Sequence, residues 1–145
     1  MPPKDEFERL QSEIQDLVDE LWQVPRFSRL RRGFRPQVDV YRTEDPAELH
    51  VVVELPGVDP DEVRIFADDR TLVVAGNRSR LRVEGRYQHM EIEYGAFQRG
   101  VSLGVRVDPG RARAQYRRGL LTIVLPVASV RAATEKVTIP VEGRA

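Results

Sequence analysis

Four short runs of apolar and β-branched residues set the terms for this chain: LHVVVEL (49–55), VRIFA (63–67), TLVVAG (71–76) and LLTIVLP (120–126). Runs of this length, rich in valine and isoleucine and closed by turn residues, build strands rather than helices. PGVDPDE (56–62) is a proline- and glycine-punctuated loop. DDR (68–70) is short enough to join the second and third runs as a hairpin. Further strands are expected at VDVY (38–41), RYQHMEI (86–92), FQRGVSL (97–103) and ARAQY (112–116). Eight or nine short strands within residues 36–126 predict an all-β fold, an antiparallel immunoglobulin-like β-sandwich.

On either side the pattern changes. Residues 1–35 read as an arm. Phe7, Leu10, Ile14, Leu17 and Leu21 follow 3-4-3-4 spacing, which puts them on one face of a helix predicted over about residues 5–23. Asp5 and Glu8 form a capping pair after two prolines, and Pro25 stops the helix. Val18 and Trp22 widen the apolar stripe. Charge divides along the arm: residues 1–22 carry a net −5, and residues 23–35 carry +5 from five arginines with Phe27 and Phe34 between them. The stripe suits packing on its own domain, a contact between copies, or capture of an apolar partner. The arginine-aromatic linker at 26–35 suits pairing with the acidic helix; the alternative is single-stranded nucleic acid, by stacking and phosphate neutralisation. The zero net charge of the whole chain provides no field for a polyanion and favours the first reading.

Residues 127–145 read as a flexible tail that ends in an apolar plug. Ile139 and Val141 stand at i and i+2, so in an extended chain they point the same way. Pro140 favours extension at itself and at Ile139. Twelve residues lie between Pro126 and Ile139, a tether of roughly 40 Å when extended. The plug can therefore reach a neighbouring subunit or lie as an edge strand on its own sandwich.

Composition removes several classes of function. With no cysteine there is no disulfide, thiol catalysis or thiolate metal site. The two histidines, His50 and His89, fall on separate predicted strands, and His50 is expected to face solvent. No H-E-x-x-H, G-x-S-x-G or G-x-x-x-x-G-K-[ST] run is present. Asp59, Asp61, Asp68 and Asp69 lack the spacing of a calcium loop and read as turn acids. The expectation is a protein that is not an enzyme and uses no metal or cofactor. The first twenty residues hold seven acids and no apolar run, unlike a signal peptide. No stretch approaches the roughly 18 apolar residues of a membrane span. The expected location is the cytoplasm, with no membrane partner.

With these motifs in order, the sequence resembles the small heat-shock protein (α-crystallin) family, bacterial and plant type. RPQVDVY resembles its opening strand, and VVVELPGVDPDEVRI its long strand, L-P-G-V turn and following strand. LVVAGNR resembles the L-x-I-x-G-x-R run, and EIEYGAFQRGVSL the E-R-x-Y-G-x-F-x-R-x-x-x-L-P run. ARAQYRRGLLTIVLP resembles the closing A-x-x-x-N-G-V-L motif, and IPV the I-x-I/V tail motif. Four departures stand out. Arg118 replaces asparagine and Leu120 valine; Gly104 replaces proline; Ile92 replaces an arginine whose charged network does not carry over.

The resemblance implies a sandwich that dimerises and then assembles into a larger homo-oligomer. It implies a swapped strand, here Arg86, Tyr87, Gln88, His89 and Met90 within the loop Asn77–Tyr94, received by Val38, Asp39, Val40 and Tyr41 of a partner. Edge-to-edge pairing of Gly95–Leu103 is the alternative. It implies a groove between two strands that accepts the plug Ile139-Pro140-Val141. Alternation puts Val63 and Ile65 on one wall and Ala112 and Ala114 on the other, the alanines leaving room for branched side chains. It implies an ATP-independent holdase, with Phe7, Leu10, Ile14, Leu17, Leu21, Trp22, Phe27 and Phe34 packing the oligomer or holding unfolded clients. On the same fold the competing expectation is a monomeric CS-domain co-chaperone that binds a folded partner.

Overall fold

The valine-rich runs pair into two antiparallel layers. A computed structural model describes residues 34–128 and 137–143. The strands are β1 (Val38–Glu44), β2 (Ala47–Glu54), β3 (Arg64–Ala67), β4 (Thr71–Arg78), β5 (Gly95–Ser102), β6 (Arg113–Arg117), β7 (Leu120–Pro126), β8 (Val137–Ile139) and β9 (Val141–Gly143). One sheet has the order β1-β2-β7-β6-β9 and the other β5-β4-β3-β8. The layers are those of the predicted sandwich.

Alternation decides what each strand contributes. On β2, Leu49, Val51 and Val53 are buried between the sheets while His50, Val52 and Glu54 point outward. On β7, Leu121, Ile123 and Leu125 meet them in the same layer. Ile65, Ala67, Leu72, Val74 and Phe97 supply the opposing layer. A fully buried leucine or isoleucine contributes about 1.5–3 kcal/mol, so this layer dominates the stability of the domain.

The turns are built from short polar side chains. In the β3–β4 hairpin, the Asp68 carboxylate accepts from the Arg70 and Thr71 amides (2.9 and 2.8 Å) and from the Thr71 hydroxyl (2.8 Å). Asp59 does the same for Asp61 at the turn after β2 (2.9 Å). Asp69 is buried and paired by Arg106 through Nε (3.0 Å) and a terminal nitrogen (2.7 Å). This fork ties the hairpin to the segment before β6. The four aspartates thus serve local structure, and among the described residues no group of three or more acids or histidines is placed to hold a metal.

The β6–β7 turn puts Arg118 at φ 54° and Gly119 at φ 80°. Two consecutive positive φ values are those of a type I′ hairpin turn, which favours asparagine followed by glycine. Gly119 also leaves its carbonyl to accept from Leu55 N (2.7 Å). Arg118→Asn is therefore expected to stabilise the domain by about 0.5–1 kcal/mol, because a long side chain resists the left-handed region more than asparagine does. Chemical denaturation would show the midpoint rising with an unchanged slope.

Two expectations change. The predicted strand at RYQHMEI does not form: the β4–β5 ladder ends at the Arg78–Gly95 pair, and residues 79–93 leave both sheets and lie exposed. A strand needs a neighbouring backbone, and no described segment of this chain supplies one there. The domain does not stop at residue 126 either, because Val137–Gly143 joins both sheets. Most of the arm, residues 1–33, and the connection 129–136 lie outside the described residues.

Candidate interaction site: a tail latch and an open edge

The tail closes one side of the sandwich. β8 pairs antiparallel with β3, setting Ile139 opposite Ile65, Thr138 opposite Phe66 and Val137 opposite Ala67. After Pro140 the chain crosses to the other layer. There β9 runs parallel to β6, with Val141 opposite Ala114 and Gly143 opposite Tyr116. Three residues thus switch from the edge of one sheet to the edge of the other. Proline suits the crossing point, where it has no N–H to leave unpaired.

Packing follows the register. Ile139 is 2% exposed and sits in the core with Val63, Ile65 and Ala114, while Val141 and Ala112 lie half-buried against the same cluster. The groove residues named from the sequence are brought together on the two walls flanking the tail. The occupant in this single chain is its own tail, the arrangement the sequence left open as an edge strand.

Gly143 is the tightest point. It has φ 141°, and a Cβ built there would collide with the Tyr116 carbonyl oxygen and approach its nitrogen to 2.9 Å. Backbone cannot yield as a flexible side chain can. Gly143→Ala is expected to unseat β9 while leaving β8 paired. Hydrogen exchange would report it, as loss of protection at Val141–Gly143 with little change at Ile65–Ala67.

The other end of the five-stranded sheet is open. β1 is an edge strand. Val40 and Tyr41 are exposed on it, Asp39 is exposed, and Val38 tucks against the core. A strand edge with unpaired N–H and C=O groups is a template for a further strand. The β4–β5 loop carries apolar side chains that nothing covers: Leu81 is 76% exposed, and Val83, Met90 and Ile92 are also exposed. Arg86, Tyr87, Gln88 and His89 are exposed in the same loop.

His50 departs from expectation. It is not a free solvent-facing side chain: its ring stacks on Tyr41 (4.6 Å, 7° between planes), with Nε2 3.3 Å from the Thr43 hydroxyl and 3.7 Å from Glu48. Glu48 is shared with Arg113 (3.2 Å). The polar rungs on the outer face of this sheet hold β1 to β2.

Phe34 departs as well. Its ring meets Phe97 edge-on (5.6 Å, 86°), so it is seated at the end of the core rather than presented to a client. Arg78 lies over Phe34 (4.5 Å) and Tyr94 (5.3 Å), and Arg80 over Tyr94 (4.5 Å) and Tyr87 (5.5 Å). This ladder of alternating rings and guanidinium groups anchors both ends of the β4–β5 loop. No regular period in the sequence marks it, since its members come from three segments. With Phe34 stacked internally, the nucleic-acid reading loses one of its two aromatic rings. Phe7, Leu10, Ile14, Leu17, Leu21, Trp22 and Phe27 lie outside the described residues.

Known proteins share this arrangement. Residues 41–142 match the model of the Hsp20/alpha crystallin family. The chain is 33% identical over 95 residues to heat shock protein 16 of Schizosaccharomyces pombe, covering 63% of this chain and 65% of that one. It is 38% identical over 103 residues to the alpha-crystallin of Mycobacterium tuberculosis, covering 66% of this chain and 69% of that one. The chain thus spans about two thirds of the length of these curated relatives. Among solved structures, heat shock protein 16.0 of S. pombe superposes with a TM-score of 0.61 at 28% identity, covering 74% of this chain and 99% of that one. The hspA protein of Xanthomonas axonopodis gives 0.58 at 26% identity, covering 69% and 100%. The match runs from β1 through the tail latch, and the chain belongs to the Hsp20/α-crystallin family of small heat-shock proteins.

Proposed function

We propose that this chain is an ATP-independent holdase that binds unfolding proteins and suppresses their aggregation. Family membership supports it, and one structural observation carries it: apolar surface gathers at strand edges and loops rather than in a cleft. Val40 and Tyr41 stand exposed on the open β1 edge, with Leu81, Val83, Met90 and Ile92 exposed on the β4–β5 loop. Contiguous exposed apolar surface marks a place for association. In this reading the loop segment 86–90 pairs with β1 of a partner, and dimers join through tails exchanged into one another's β3–β6 grooves. The tail ladders are the same whether the tail is the chain's own or a neighbour's. A single exchanged plug is weak, and many in one assembly act together through effective concentration. Release of subunits then uncovers the arm's apolar stripe for clients.

The test is light scattering from a heat-stressed client, with and without this protein and without nucleotide. Suppression near equimolar subunits is expected. No suppression at any ratio overturns the proposal.

The tail seated in its own groove favours a second reading, because it completes the domain as a monomer. That would suit a co-chaperone acting on a folded partner. Solution mass separates the two: a species near the 16.6 kDa chain mass supports the co-chaperone, and a multi-subunit species the holdase.

A further inference from the structure

The four-stranded sheet has two faces, and both are buried at its centre. Leu72 and Val74 of β4 point into the core between the sheets. Val73 and Ala75 point the other way by alternation, away from the five-stranded sheet. Yet both are 0% exposed.

Neighbours on that face do not account for this. Val73 lies opposite Phe66 of β3 and opposite Gly100 of β5. Phe66 shades it from one side, and glycine has no side chain to shade it from the other. Gln98, opposite Ala75, gives an independent sign: its Oε1 is shut off from solvent without a hydrogen-bond partner. A side-chain oxygen on an open sheet face would meet water. The β4–β5 loop provides no cover, since residues 79–93 are themselves exposed.

We propose that this outer face is the docking site of the chain's own N-terminal arm, whose apolar stripe at residues 7–21 lies across Phe66, Val73 and Gly100. The described chain begins at Phe34, which packs on Phe97 of β5, so the arm arrives at an edge of this sheet. The twelve residues between Leu21 and Phe34 reach about 40 Å when extended, enough to turn back over the sheet. The stripe on a helix is about 21 Å long. Four strands about 4.8 Å apart and up to eight residues long present a face of similar size. Gly100 lowers the surface beside Val73 and gives large helix side chains a trough to enter.

The consequence rests on the holdase reading: the surface assigned to clients is occupied by the chain's own sheet until the arm is released, so docking is autoinhibitory. The docking itself is tested apart from chaperone activity. Because the chain has no cysteine, pairs can be introduced cleanly into the full-length protein. Leu10→Cys, Ile14→Cys and Leu17→Cys would each be combined with Ser102→Cys at the rim of this face, or with Thr122→Cys on the outer face of the other sheet. Under mild oxidation at low protein concentration, at least one pair with Ser102 should close within one chain at least tenfold faster than its Thr122 counterpart. Equal rates overturn the proposal. Products that are cross-linked dimers also overturn it, since the occupant would then be a second copy. Leu10→Asp with Leu17→Asp leaves the sandwich residues untouched. It should raise hydrogen exchange across Gly95–Ser102 severalfold while β2 and β7 stay protected; unchanged exchange at β5 overturns the proposal. Light scattering on the same variant then reads the holdase separately.

Discussion

Ile139→Ala combined with Val141→Ala is expected to release the tail and to reduce the assembly toward dimers. The two side chains together supply about 3–6 kcal/mol of apolar burial before costs. Ile139 carries more of it, being 2% exposed against Ile65, and truncating an isoleucine in such a site costs about 2–5 kcal/mol. The three-residue ladders on either side of Pro140 cannot hold alone, because ordering each residue opposes them by about 1–2 kcal/mol. Measurement pairs light-scattering mass with hydrogen exchange. A fall in mass together with lost protection at Val137–Gly143 supports tails as links between subunits. Lost protection with unchanged mass shows that the latch serves only its own domain and removes it from the assembly scheme.

Excising residues 84–91 from the β4–β5 loop is expected to convert dimers to monomers. These residues make no ladder in the single chain, and Met90 there is exposed. Their removal therefore takes nothing from the core. β1 would then remain an unpaired edge with Val40 and Tyr41 exposed, so the monomer is also expected to aggregate more readily on heating. Sedimentation at several concentrations would read the change directly. A loop-shortened protein that stays dimeric would move the interface to β5, the open edge of the four-stranded sheet. The domain should keep its thermal midpoint within a few degrees, which separates lost pairing from lost folding.

The two predictions treat different edges because the fold leaves them in different states. β1 is open and waits for a strand. The β3 and β6 edges are already filled, by a tail joined to the domain through residues 129–136. Exchange of that tail between copies needs no new contacts, only a change in which chain supplies it.

Alternation in LHVVVEL and LLTIVLP was enough to assign the inward residues of β2 and β7, since side chains on a strand follow a period of two whatever lies beyond it. The aspartates at 59 and 68 announced their turns for an equally local reason: a short carboxylate reaches the amides two and three residues on. The spacing of Ile139, Pro140 and Val141, with alanines at 112 and 114, likewise foretold a plug and the walls that receive it. Partnership between distant segments was not legible in this way. Nothing local to Phe34 marks it as Phe97's neighbour, or His50 as stacked on Tyr41, and RYQHMEI has strand composition without a backbone to pair with. The sequence by itself determined which residues seek burial and which segments extend, because those are properties of period and composition. Only the tertiary structure decided whose surface each segment meets. That choice depends on which edges the sandwich leaves open, and it put the tail in its own groove and left a covered face on the outside of the four-stranded sheet.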